Sequence, residues 1–351
     1  MSDTNIKRLP FATKRGVIRL LILALVFVTI LAWFLNEMFN MPGDDFTGDP
    51  PPLDRSESTV ESELKRHVIT LAETIGERHT RRPEKLAEAR DYISVEFREH
   101  GYEPRFQTYE VSSPPGTACS NVEVEILGTE LPKEIVIIGG HYDSVVDCPG
   151  ANDNGTGTAA VLELARLFSQ TKPRRTLRFV AFVNEEPPYF QTDDMGSVVY
   201  AKRCRENEEN VVAMISVETI GYYTDEEGSQ KYPSPLFGNV YGTKGDFVGF
   251  ISNFGSRDLL TRCGKIFREK AKIKSQLAPI PDVIPGIGWS DHWSFWQEGY
   301  SAIMVTDTAT FRYPHYHEAS DTPEKIDFTS AARVVSGLEA VVEDLVNGNE
   351  E

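Results

Sequence analysis

The sequence predicts an α/β fold: a mostly parallel, twisted sheet with helices on both faces and antiparallel strands at one edge. Three observations predict it. Four short apolar runs, 135–138, 177–183, 212–217 and 302–306, are rich in β-branched residues and read as strands buried on both faces, as in a parallel sheet. Segments of helical period lie between them, so strands and helices alternate along the chain. The first three runs lead directly into a histidine or a carboxylate and the fourth reaches one through a loop. In open α/β sheets ligands bind beyond the carboxyl ends of the strands.

The elements follow in order. Residues 1–16 form a basic flank with Lys7, Arg8, Lys14 and Arg15. An unbroken apolar run extends from Leu20 to Leu35, and Val17 and Ile18 lengthen it past Arg19, whose side chain can snorkel. A transmembrane signal anchor is therefore expected over 17–36, with the basic flank in the cytoplasm. The rival, a cleaved signal peptide, lacks a small-x-small site after the run. Either way the rest is expected outside the cytoplasm, in the periplasm or at the cell exterior. Residues 37–57, rich in Pro, Gly and Asp, read as a linker, and 58–351 as one domain without internal repeats. Val60, Leu64, Val68, Leu71 and Ile75 recur at helical spacing. A second helix runs from Pro83 to about His100 and stops at Gly101. The stretches 103–111 and 121–127 alternate and read as the antiparallel edge strands. After the run 135–138, Asn154, Gly155 and Gly157 bend a turn into a helix over 156–168. Further helices are expected near 195–206, 256–272 and 328–346.

Composition narrows the function. With 351 residues, 40% hydrophobic and 25% charged, the chain can bury a full core. Its net charge of −17 argues against nucleic acid as a partner, because phosphate binding needs clustered Lys and Arg. The four cysteines have no CxxC spacing and do not suggest a thiolate metal site. Cys119 and Cys148 are candidates for a bridge beside the first buried strand; isolated buried thiols are the alternative. The sequon Asn154-Gly155-Thr156 abuts Asp153, so a glycan there would block the site proposed next.

That site is a constellation at one rim of the sheet. His141, Asp143, Asp153, Glu185, Glu186, Glu218 and His317 all follow strand ends or the turn before a helix. So many carboxylates at close range cannot stay ionised without positive charge. If Asp153, Glu186 and Glu218 are ligands, two Zn2+ ions and a bridging hydroxide neutralise them. Nitrogen and oxygen donors without thiolate suit zinc, and cobalt or manganese fit the same donors. A two-metal site lowers the pKa of bound water and polarises a carbonyl. Glu185 and Glu186 are adjacent and point opposite ways, so one binds metal and the other is the general base. Singly, each residue has a plainer explanation: Asp153 as a helix N-cap, His141 as a hydrogen-bonded strand end, the glutamates as surface charge. The joint pattern is what points to metal.

The order H-x-D, G-A-x-D-N-x-x-G, N-E-E, a carboxylate at a strand end and Y-H-x-x-S-D-T resembles the co-catalytic zinc exopeptidases. That family includes secreted bacterial leucyl aminopeptidases, aminopeptidase Y and glutamate carboxypeptidase II, and the resemblance covers about 58–345. It implies a phosphorylase/hydrolase-like fold and a peptide substrate cut by an aminopeptidase. It implies that Asp153 bridges two zinc ions, that His141 and Glu218 complete one and Glu186 and His317 the other. It makes Glu185 the base acting on a bridging hydroxide, and Asp143 the residue that orients His141. It also implies a cis peptide bond after Asp153, and the Y-H-x-x-S-D-T frame selects His317 over His315. Glu218 departs from the family's usual Asp, and the segment 187–197 is longer than in its simplest members and is expected to shape the pocket. Asp291-His292 is expected near the site as support or as core. Trp289, Trp293, Trp296 and Phe190 are candidate pocket walls, and Tyr222, Tyr223 and Tyr300 candidate oxyanion donors. A single-zinc glutaminyl cyclase-like acyltransferase is the alternative on the same scaffold, and a non-catalytic envelope binding protein a third reading.

Overall fold

A computed structural model describes residues 13–348, apart from the side chains at 31, 34, 37 and 236. Residues 1–12 of the basic flank therefore lie outside the described residues. The chain divides into two compact units, Met1–Met41 and Pro42–Glu351. The first contains α1 (Lys14–Phe39), whose apolar side chains, among them Leu20, Leu23 and Phe27, are exposed. Among the described residues no helix is long and apolar enough to cross a membrane. The anchor expected over 17–36 thus has no support in the described residues.

In the second unit α2 (Arg55–Ile69) begins upstream of the linker boundary expected at 57. Asp54 accepts from the Glu57 N–H while the Glu57 carboxylate accepts from the Asp54 N–H, a reciprocal cap that fixes the start. Val60, Leu64 and Val68 on α2 are buried, as are Leu71 and Ile75 on the π-helical turn Thr70–Ile75 that extends it. The segment expected as linker is also tied to the domain. Arg268 donates to the carbonyls of Pro42 and Gly43, Arg333 donates to that of Pro51, and Ser275 N–H donates to Asp45.

The other elements are α3 (Pro83–Glu99), β1 (Arg105–Glu110), β2 (Ala118–Ile126), β3 (Leu131–His141), α4 (Gly157–Phe168), β4 (Arg175–Phe182), α5 (Gly196–Glu206), β5 (Asn210–Glu218), β6 (Thr224–Glu227), α6 (Pro235–Tyr241), β7 (Lys244–Gly245), β8 (Phe247–Ser252), α7 (Arg257–Lys270), β9 (Lys274–Pro279), α8 (His292–Gln297), β10 (Ala302–Thr306) and α9 (Phe328–Asn347). Eight strands form one sheet in the order β1-β2-β4-β3-β5-β10-β8-β9. The centre, β4-β3-β5-β10, is parallel, and β1-β2 is the expected antiparallel edge. The parallel strands β4 and β10 are buried at every residue. The sheet also has a second wing, β8 and β9, which the sequence reading does not anticipate. β8 pairs antiparallel with β10 and parallel with β9.

Neighbouring glycines of β3 show why both faces are covered. A Cβ on Gly139 would meet the ring of Phe182, which packs against Tyr200 of α5 and Phe295 of α8. A Cβ on Gly140 would point the other way, 2.8 Å from the Val217 carbonyl and 3.5 Å from Gly157 at the start of α4. Successive residues of a strand face opposite sides, so α4 lies on one face of the sheet and α5 and α8 on the other. The absence of a side chain at Gly140 lets α4 begin hard against β5, which places the turn before α4 at the sheet rim. The four cysteines are buried and free, so the bridge between Cys119 and Cys148 is not formed.

Candidate metal centre

Parallel strands deliver their last residues to one rim. β3 ends on His141 and β5 on Glu218, while β4 continues through Val183 and Asn184 into Glu185 and Glu186. Three residues here hold left-handed backbone: Asn184 at φ 60°, Thr219 at φ 41° and His317 at φ 60°. Such geometry is uncommon for non-glycine residues and gathers at functional sites, where the surroundings hold it in place.

The turn Ala151–Thr156 brings in Asp153, and the Asp153–Asn154 peptide bond is cis. Asn154 fixes this turn to β5: its side-chain Oδ1 accepts from the Gly157 and Thr219 N–H groups at 3.0 Å each, and its Nδ2 donates to the Val217 carbonyl at 2.9 Å. Buried Asp321 fixes the other side, accepting from the N–H groups of Asn152 at 2.8 Å and Asp153 at 3.1 Å and from the Tyr313 hydroxyl. Asn154 is fully buried, out of reach of glycosylation.

Two clusters of donors result, and they share Asp153. His141 Nε2 lies 3.4 Å from Asp153 Oδ1 and 3.2 Å from Glu218 Oε2. His317 Nε2 lies 3.2 Å from Asp153 Oδ2 and 3.2 Å from Glu186 Oε2. Within each cluster one donor atom per residue falls within 4.8 Å of the others. Nε2 of both histidines and Oε1 of Glu186 are buried without a hydrogen-bond partner. Buried polar groups without partners are costly, and donors converging in this way suit a bound cation. The donor set, two imidazoles and three carboxylates, fits zinc. A third acidic group, Glu63, His67 and Glu163, is geometrically similar but already neutralised. Arg166 bonds Glu163, and Tyr92 bonds His67 Nδ1.

The electrostatics carry the same mark. Desolvation lowers the affinity of His141 for a proton, yet Glu218 and Glu185 outweigh it and its pKa is raised well above the ordinary value. His317 is opposed by desolvation too, but Asp153 and Glu186 push it up to about 10. Burial, joined by Asp153, raises Glu186 to about 7. Asp153 is lowered despite its burial, because the imidazoles of His141 and His317 face its two oxygens. The rim thus collects protons where cations belong.

Around these clusters, Asp143 accepts the Glu185 and Glu186 N–H groups at 3.1 Å each. Its Oδ1 lies 3.5 Å from His141 Nδ1, and that nitrogen also lies 3.2 Å from the Asp143 carbonyl. Glu185 is buried and its carboxyl oxygen lies 3.8 Å from His141 Nε2, apart from both clusters. Glu218 accepts from the Ser290 hydroxyl at 2.8 Å. Asp291 is fully buried nearby, and burial raises its pKa to about 7. His292 belongs to the core: its Nε2 is 2.7 Å from the Ile287 carbonyl, its ring meets Trp296 edge-on, and burial lowers its pKa to about 4.

Other expected residues lie elsewhere. Tyr300 bonds the Glu209 carbonyl before β5, at the opposite end of the sheet; Tyr222 packs on Tyr313, and Tyr223 is half-buried beside Arg312. The tyrosine that does reach the centre is Tyr316, stacked on His317 at 3.9 Å between ring centroids and lining the same cavity as Asp153, Glu185 and Glu218. Its position next to His317 in the Y-H pair was the signal available in the sequence. Of the four candidate wall aromatics only Trp289 lines that cavity, and no residue of 187–197 does. Arg78 was also missed. Fully buried, it donates to the carbonyls of Tyr142, Pro149 and Gly150 and so holds the loop between His141 and Asp153.

Residues 121–342 match the model of peptidase family M28. The uncharacterised Escherichia coli K12 protein YfbL is 33% identical over 284 residues, 79% of this chain and 85% of that protein. A probable zinc metalloprotease of Pyrenophora tritici-repentis is 27% identical over 330 residues, 81% of this chain and 67% of that one. Among solved structures, BSAP, a zinc aminopeptidase from Bacillus subtilis, superposes with a TM-score of 0.66 at 15% identity, covering 83% of this chain and 96% of its own. At that identity the likeness is one of fold.

Proposed function

The chain belongs to peptidase family M28 and is a zinc metallopeptidase, and from that premise we propose that it is an exopeptidase, an aminopeptidase that hydrolyses the N-terminal peptide bond of its substrate. One observation carries the reading: two three-donor clusters, His141–Asp153–Glu218 and Asp153–Glu186–His317, meet at a shared aspartate. We assign one zinc ion to each. When bound, the pair supplies Lewis acidity toward the scissile carbonyl and a lowered pKa for water.

The protein's own groups do the rest. Glu185 is the general base: it takes the proton of the attacking water and returns it to the leaving amine. Burial, with Glu186 and Glu218 beside it, raises its carboxyl well above the ordinary range, which suits it to hold a proton. Asp143 holds Glu185 and Glu186 by their backbone N–H groups and flanks His141, so one carboxylate sets the register of base and ligands. The Tyr316 hydroxyl is the oxyanion donor. The second cluster favours hydrolysis over single-metal glutaminyl cyclisation. The membrane anchor and the extracytoplasmic location belong to this reading on the sequence alone, through the apolar run from Leu20 to Leu35 and its basic flank.

Glu185→Gln tests the assignment. It keeps the size of the side chain and removes the base, so the variant retains two zinc ions per chain by elemental analysis and loses turnover of leucyl amides. Near-normal activity in that variant would overturn the reading.

A further inference from the structure

The rim opens into a chamber whose lining extends from Glu218 across β10 and β8 to β9. Its floor is one face of three adjacent strands: Thr306 and Met304 of β10, Gly249 and Ile251 of β8, and Ala278 of β9. Tyr232, Phe237 of α6 and Phe311 wall it. Asp153, Glu185 and Glu218 stand at one end.

The sheet order gives its length. Glu218 ends β5, and β10, β8 and β9 follow in turn; at about 4.8 Å per strand the floor runs about 14 Å away from the centre. A leucine or phenylalanine side chain on the scissile carbonyl covers the β10 part and leaves β8 and β9 bare. An extended peptide would bring backbone N–H and C=O groups over a mostly apolar floor on which β10 and β8 are already paired on both sides and Thr306 and Gln276 are the polar side chains, and unpaired polar groups in apolar surroundings are costly. A hydrocarbon chain brings none, and gains by leaving water.

We propose that the site hydrolyses amides whose acyl group is a long unbranched hydrocarbon chain: N-long-chain-acyl amino acids and N-acylated peptides. The amide C–N bond breaks, water gives hydroxyl to the acyl carbon and a proton to the leaving nitrogen, and the products are a fatty carboxylate and a free amine. This extends the aminopeptidase reading and shares its donors and Glu185. Gly249 is the floor position to test. A Cβ built there meets no atom closer than the Thr306 carbonyl oxygen at 3.4 Å, and its φ is not left-handed, so a larger side chain grows into the chamber without straining the strand.

The experiment compares p-nitroanilides of butanoate, octanoate, dodecanoate and hexadecanoate with leucyl p-nitroanilide on the zinc-loaded protein. Calorimetric titration of N-dodecanoyl-leucine into Glu185→Gln measures binding separately. kcat/KM is expected to rise with chain length through dodecanoyl. Gly249→Leu, and independently Ala278→Phe, should lower the dodecanoyl-to-butanoyl ratio at least tenfold, and Gly249→Leu on the Glu185→Gln background should weaken dodecanoyl-leucine at least tenfold. Cleavage of the leucyl substrate with no gain along the acyl series and no dodecanoyl-leucine binding overturns the chamber assignment and leaves the aminopeptidase. Cleavage of neither class overturns the peptidase assignment, and the titration then decides the chamber by itself.

Discussion

Oδ1 of Asp143 accepts the backbone N–H of Glu185 at 3.1 Å, which ties the acid of the H-x-D run to the first acid of the N-E-E run. Oδ2 does the same for Glu186, so an aspartate beside a candidate ligand histidine also fixes the next strand end. In Asp143→Asn one oxygen becomes an NH2 that faces an N–H it cannot bond. Partners of this kind typically contribute about 10–100-fold to metal affinity or activity. The expected result is a fall in kcat of that order with KM little changed, alongside weaker zinc retention on dialysis. Wild-type kcat with full zinc would show that Asp143 is only packing.

Zinc affinity should rise with pH. In the metal-free protein His317 is pushed up to about 10 by Asp153 and Glu186 against the opposing pull of desolvation, and His141 is raised as well. A raised imidazole stabilises the metal-free fold fully below its ordinary pKa of about 6.5, and that contribution fades as pH climbs through the folded value. Zinc must displace those protons, so each pH unit between about 6.5 and 10 favours binding by about tenfold per proton released. Competition against a chelator of known pH dependence measures the slope. A flat profile from pH 7 to 9 would contradict it.

Tyr316→Phe separates an oxyanion donor from a packing ring. The stack on His317 survives the change, since only the hydroxyl is lost. Removing one such donor costs about 100–1,000-fold in kcat in other hydrolases. The expected outcome is a loss of at least tenfold in kcat with zinc content and melting temperature unchanged. Tyr300→Phe, at the far end of the sheet, serves as the control.

The sequence made the parallel centre and its candidate ligands legible for one reason. A strand buried on both faces must be apolar throughout, so a polar residue at its end stands out. His141 and Glu218 are the last residues of β3 and β5, and Glu185 and Glu186 follow β4. The second wing had no such contrast. Phe247–Ser252 contains Gly249, and Lys274–Pro279 carries Lys274, Gln276 and a terminal proline, so neither stands out as a buried strand. α8 is six residues long, too short to show a helical period. Arg78 was invisible because its partners are backbone carbonyls, which no side-chain pattern records. Tyr316 was overlooked for the tyrosines beside Glu218, although it adjoins a ligand in the chain.

Arg78 offers the last test, because its role joins stability to the site. Its guanidinium, fully buried, donates to Tyr142 O at 2.6 Å, Pro149 O at 2.5 Å and Gly150 O at 2.8 Å, and among the described residues no carboxylate pairs with it directly. Arg78→Met keeps the bulk and strips those carbonyls of their donors. Each acceptor left dry costs on the order of 1–3 kcal/mol, so a loss of at least about 3 kcal/mol is expected in urea denaturation. Arg78→Lys keeps a charge but loses the fork, and a single ammonium cannot reach three carbonyls held apart. The loop they belong to ends at Asp153, which both clusters share. Arg78→Lys should therefore weaken both zinc sites together, which stepwise zinc titration reads as parallel shifts. Loss at one site alone would mean that Asp153 is positioned without Arg78.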